Sequence, residues 1–201
     1  MDMNNCSLIM KGYNMDIHEA NIINALSLAT PQEIEAGKQW YLNARIICRK
    51  ISKQYHVPFI KVCGILSALS VGTSWEQNIK DVKGFLGSEF YKCTTYGANV
   101  RKAESILNLD KPKIKDILKV LNGEKITRFF LNVYSSRFQE VTIDRHMISL
   151  WHGSFDHNFI PTSKRLKRIR DTFTRIAELH DLRPYQLQAI TWLVWKRINN
   201  I

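Results

Sequence analysis

Apolar residues recur along this chain at helical spacing and almost nowhere in strict alternation. The clearest start signal is Thr30-Pro31-Gln32-Glu33, with a capping threonine, a proline at the first helical position and a glutamate three residues past the cap. The helix it opens carries Ile34, Trp40, Tyr41, Ala44, Ile47, Cys48 and Ile51 on successive turns. Val57-Pro58 breaks it. Residues 59–69 are apolar nearly all round, which predicts a central helix packed on every side. Further helices are predicted over 75–85, 97–107, 112–121 and 125–134, with a short one from Asp144 through Trp151. Residues 153–160 read as loop. Thr162 or Ser163 then caps a basic helix to about His180, and Pro184 opens a last helix through Ile198. Residues 139–143 could extend, but no partner strand is visible. The pattern predicts an all-α fold with no internal repeat.

Composition narrows the class of protein. At 201 residues, 45% hydrophobic and 23% charged, the chain can bury a core without staples and is not a disordered tail. Its formal charge of +11 favours a polyanionic partner, nucleic acid before an anionic membrane. The cysteines Cys6, Cys48, Cys63 and Cys93 form no C-x-x-C pair, so neither a zinc knuckle nor an iron–sulfur cluster is expected. The histidines 146, 152, 157 and 180 show no metal-ligand spacing either. No metal or cofactor is expected. The polar start Met1-Asp2-Met3-Asn4-Asn5 does not read as a signal peptide, and no stretch reaches membrane-spanning length. The expectation is an intracellular, cytoplasmic monomer with four free thiols.

Two short stretches carry candidate chemistry. Leu121-Asn122-Gly123-Glu124-Lys125-Ile126 reads as a tight turn between helices, with Asn122 and Gly123 supplying tolerance of positive φ. The free N–H groups at the start of the second helix suit a phosphate. Nineteen positions after Lys125 comes Asp144, followed by Arg145 and His146. A helix from Lys125 to Tyr134 is about 15 Å long, and the nine residues after it suffice to return Asp144 to the helix start. An amine and a carboxylate can then face one pocket. Taken alone, each stretch is also an ordinary turn and an ordinary N-cap.

The ordered set of segments resembles the helix-hairpin-helix superfamily of base-excision DNA glycosylases, the endonuclease III-like enzymes. The carriers are Gly64 to Ser70 with Thr73-Ser74-Trp75, then Tyr96-Gly97 to Lys102-Ala103, then 117–121 leading into Gly123-Glu124-Lys125, then Ile143-Asp144-Arg145-His146. They span about residues 60 to 152. The resemblance implies a two-lobed fold, with 58–134 as a central lobe, 1–57 and 135–201 as the other, and the substrate cleft between them. It implies Lys125 as the nucleophile at the sugar C1′ and Asp144 as the catalytic carboxylate. The target base leaves the stack of a double-stranded DNA, and Ser74, Trp75, Tyr96 and His146 are the candidate pocket. Asn122, Gly123, Arg101, Lys102, Arg128 and Arg145 are candidate DNA contacts. So are Lys164, Arg165, Lys167 and Arg168 of the basic helix, as a phosphate track.

The sequence also departs from that pattern. Only one hairpin glycine is present, the four-cysteine cluster is missing, and nothing from Pro161 onward aligns. Val71-Gly72-Thr73 stands where the family's DNA-inserted glutamine lies. Small phage-type proteins share this core, which would place the chain in a host cytoplasm. Two rival functions therefore stand beside excision: a non-catalytic DNA-binding or regulatory module, and an enzyme that modifies the bases of phage-type DNA.

Overall fold

The structure is a computed structural model that describes residues 15–155, 159–160 and 162–201. Cys6, the N-terminal stretch and His157 lie outside the described residues. Among those described the chain is helical, with no strand. The helices run α1 (Ile17–Ser27), α2 (Pro31–Tyr55), α3 (Phe59–Leu69), α4 (Trp75–Gly87), α5 (Gly97–Asn108), α6 (Ile114–Leu121), α7 (Glu124–Tyr134), α8 (Arg145–His152), α9 (Ser163–Leu179) and α10 (Pro184–Ile198). No helix among them is long and apolar enough to cross a membrane.

Local chemistry explains most boundaries. Thr30 caps α2 through a reciprocal capping box with Glu33, as the sequence predicts. The helix ends at His56, in the left-handed conformation with φ 54°. Thr162 caps α9. The sequence pattern does not place α1. Its signal is a second capping box, in which Asp16 accepts from the backbone of His18 and Glu19 and Glu19 reaches back. α6 starts at Ile114 rather than near Pro112, because Lys113 is its N-cap and the Asp116 carboxylate accepts from the Lys113 backbone N–H at 2.8 Å.

Two clusters of buried side chains organise the packing. The first surrounds α3, where Val62 through Leu69 are all buried, with partners from α2, α4, α5, α6 and α7. The second joins α1, α8 and α9, with Ile169, Phe173 and Met147 fully enclosed. Each such large apolar side chain contributes roughly 1.5–3 kcal/mol. α2, grouped by the sequence reading with the second lobe, lends Tyr41, Ala44, Cys48 and Ile51 to the first cluster. α10 serves both: Tyr185 and Ala189 enter the first, Leu187, Val194 and Trp195 the second. α2 and α10 touch closely at Gly37, where an added Cβ would stand 2.7 Å from the Ile190 Cα and N.

Buried polar groups fasten the seam. Within it the Tyr41 hydroxyl donates to Gln188 Oε1 at 2.9 Å and shares a hydrogen bond of the same length with Thr142 Oγ1. Burial pushes the Tyr41 phenol up to about 12. Cys48 and Cys63 are buried free thiols and Cys93 is a partly buried one; burial, with Cys48 beside it, pushes Cys63 up.

Candidate active site

The hairpin forms by the expected route, with one change. Asn122 takes the left-handed conformation (φ 39°) and Gly123 is extended (φ −154°), so the asparagine rather than the glycine makes the turn. Lys102 reaches over from α5 and donates to the Leu121 carbonyl, satisfying an orphan acceptor at the end of α6. At the start of α7, where a phosphate is expected, the Glu124 carboxylate pairs with Arg128 at 3.5 Å and with Arg170 of α9. Lys125 follows it, half-buried.

After α7 the chain doubles back along it. The Asn132 amide pairs with the Glu140 backbone in both directions, at 2.8 and 3.0 Å, and Arg128 ion-pairs with Glu140. Thr142 then meets Tyr41. Asp144, four residues beyond Glu140, is thereby carried back toward the α7 start. It caps α8: Oδ1 accepts from Met147 N at 2.9 Å. Its other oxygen, Oδ2, accepts from the indole N–H of Trp192 on α10 at 3.1 Å.

His146 shows what surrounds that carboxylate. Burial pushes its imidazole below the usual histidine range, Asp144 opposes the shift, and the positive charges of Arg145, Lys196 and Lys125 reinforce it. Asp144, Lys125 and Lys196, from three elements, therefore all act on one ring. Lys196 Nζ also lies 4.6 Å from the centroid of Trp192.

Aromatic rings extend from this point. Trp192 is 6.5 Å from Trp40, and Trp40 is 4.9 Å from Trp75. The four pocket candidates thus fall into two groups. Ser74 and Trp75 begin α4, where Ser74 Oγ accepts from Gln77 N at 3.2 Å. Tyr96 is 67% exposed and packs across Gly72 of the same turn, which has φ +74°. His146 sits apart, beside Asp144. Rings of Trp40 and Trp192 lie between the groups, and the sequence reading assigned both to helix packing rather than to the pocket.

Several candidate DNA contacts are engaged within the protein. Lys102 and Arg128 hold the groups described above. Lys167 pairs with Asp171 at 2.6 Å and Arg168 with Asp16 at 3.3 Å. Arg165 donates to the Ile160 carbonyl at 3.3 Å. Lys164, Arg145 and Arg101 are exposed. The basic helix turns Leu166, Ile169 and Phe173 inward as its spacing predicts. Arg101 and Lys102, with Lys119 and Asp116, line a recess of about 570 Å³ between α5 and α6. A second recess, of about 410 Å³, is lined by Arg49, Phe59 and Tyr134 among others. Neither includes Lys125 or Asp144. No three His, Cys, Asp or Glu side chains are grouped as a metal ion requires among the described residues.

Residues 7–199 match a family described as a family of unknown function, DUF7178. The chain belongs to DUF7178. That match covers nearly its whole length, so both packing clusters and the residues around Asp144 fall inside the DUF7178 region. No curated protein and no solved structure matches the chain.

Proposed function

We propose that this DUF7178 chain is a DNA glycosylase that removes a damaged or modified base, with Asp144 as catalytic carboxylate and Lys125 as nucleophile. The observation that carries the reading is the Asp144 carboxylate, held in place by the Met147 amide and the Trp192 indole, in a chain of formal charge +11; the charge of Lys125 reaches the adjoining His146. The ordered resemblance to helix-hairpin-helix glycosylases supplies the roles. The amine of Lys125 forms a bond to C1′ while the C1′–base bond breaks, and the bonding pair leaves with the base, which takes up a proton. The proton lost by the amine goes to solvent or to Asp144. The carboxylate stabilises positive charge developing on the sugar. The sugar ring then opens: the nitrogen lone pair forms the C1′=N bond, the C1′–O4′ bond breaks and its pair leaves on O4′, which takes up a proton, and the resulting imine permits strand cleavage by elimination.

The test uses duplexes with an abasic site or with modified bases. Borohydride is expected to trap a covalent adduct with the wild type and none with Lys125→Ala. Asp144→Asn keeps a capping side chain, so it should fold normally while base release falls about a hundredfold or more. No adduct and no released base on any duplex, or full activity in Asp144→Asn, overturns the assignment. A non-catalytic DNA-binding module is the second reading. It is favoured by the carboxylate of Glu124 at the hairpin, paired with two arginines where a phosphate grip is expected. It predicts duplex binding without either product.

A further inference from the structure

The sequence marks α10 as a packing helix, and most of it is. Nine of its residues are buried, yet Trp192 and Lys196 are only half-buried. These two stand one helical turn apart and face the α8 N-terminus. The Trp192 indole N–H donates to Asp144 Oδ2 at 3.1 Å, while the Met147 amide takes Oδ1 at 2.9 Å. Both oxygens of the carboxylate are therefore fixed, one by its own helix and one from a segment 48 residues away. A carboxylate held only by its N-cap bond still rotates about its side-chain torsions; a second donor from another element removes that freedom.

Both donors are neutral. Among the described residues Asp144 makes no ion pair within 4.0 Å, although the charges of Lys125 and Lys196 reach the adjoining His146. Its negative charge is thus oriented without being cancelled, which is what stabilisation of a cationic sugar requires. Trp192 is itself held: Lys196 Nζ lies over its ring at 4.6 Å and Trp40 meets it at 6.5 Å and 69°.

The geometry points to Trp192 as a positioning residue for the reaction, acting through Asp144, a role that rests on the glycosylase reading. Removing the indole N–H should lower the rate of the chemical step and leave duplex affinity nearly unchanged. Trp192→Phe is expected to slow single-turnover adduct formation on an abasic duplex, or base release, whichever the wild type shows, by about tenfold to a hundredfold. The double variant Trp192→Phe/Asp144→Asn should be no slower than Asp144→Asn alone, because residues acting as one unit are not additive. A residue that merely packs would add its loss independently.

A second measurement needs no activity. The chain has five tryptophans, so the indole N–H resonance missing from Trp192→Phe in a ¹⁵N correlation spectrum belongs to Trp192. That resonance should move upfield in Asp144→Ala. An unmoved resonance overturns the proposal, as does an active wild type with Trp192→Phe at full rate, or additive losses in the double variant. A wild type that yields neither adduct nor free base overturns the glycosylase reading, and the positioning role falls with it. In that case a resonance that still responds to Asp144→Ala shows that the failure lies in the assigned reaction and not in the Trp192–Asp144 contact.

Discussion

Asp81 shows how one buried side chain can hold a long connection. It is fully buried and accepts from Gln77 Nε2, the Tyr91 hydroxyl, the Thr94 amide and the Thr94 hydroxyl, at 2.6 to 3.0 Å. Burial alone would raise its carboxyl, but the hydrogen bonds from Thr94, Gln77 and Tyr91 outweigh it and hold the group below the usual aspartate range. A carboxyl depressed in the folded state stabilises above its unfolded value, about 3.9, and that contribution disappears as pH falls through the folded value. Asp81→Asn is therefore expected to be about 2–3 kcal/mol less stable than wild type at neutral pH. In urea titrations the gap should narrow below about pH 4; a gap constant from pH 7 to pH 3 would refute the account. Nothing near Asp81 in the sequence marks it, since three of its four donors, on Tyr91 and Thr94, come from the 88–96 connection. Trp192 was hidden for a similar reason. Its apolar neighbours advertise packing, and its partner Asp144 is distant in sequence. Asp144 itself was legible, because a cap before an apolar turn is a local signal.

Among the helices, local signals carried furthest. The caps at Thr30 and Thr162, the all-round apolar character of α3 and the inward face of α9 can all be read from neighbouring residues, and the structure shows each. Helix-to-helix approach cannot be read that way. Gly37 stands in the first half of α2 with nothing in its flanks to explain it. The explanation is Ile190, whose backbone leaves no room for a Cβ. Gly37→Ala gains about 1 kcal/mol of helix propensity. It also forces α2 and α10 apart, and overpacking costs about 1–3 kcal/mol. Because the obstructing atoms are backbone, the strain should win. A lower melting temperature is expected by calorimetry, and a higher one would show that the two helices separate freely. The doubling back of 135–144 along α7 is intermediate in legibility. Loop length allows it, while the Asn132–Glu140 pairing that fixes it appears only in three dimensions.

At the scale of the molecule, α10 decides how the parts cohere. It contributes to both packing clusters, and its ends are tied to other elements: Arg197 pairs with Glu33 on α2 at 2.7 Å, and Arg183 donates to the Ser136 carbonyl at 3.3 Å. Opening either cluster alone would strip α10 from the other. Thermal unfolding should accordingly be a single transition, with calorimetric and van't Hoff enthalpies in agreement. Two resolved transitions would show that the clusters melt separately. The excess of 29 lysines and arginines over 18 acids also means that any duplex contact should weaken steeply as salt rises.

The tether from Trp192 to Asp144 gives this cohesion a practical meaning. A ligand that settles beside Asp144 touches a helix on which the whole chain depends, so its binding energy is returned as resistance to melting everywhere. Oligonucleotides can then be ranked by the melting temperature of the protein alone, before any reaction product has been sought.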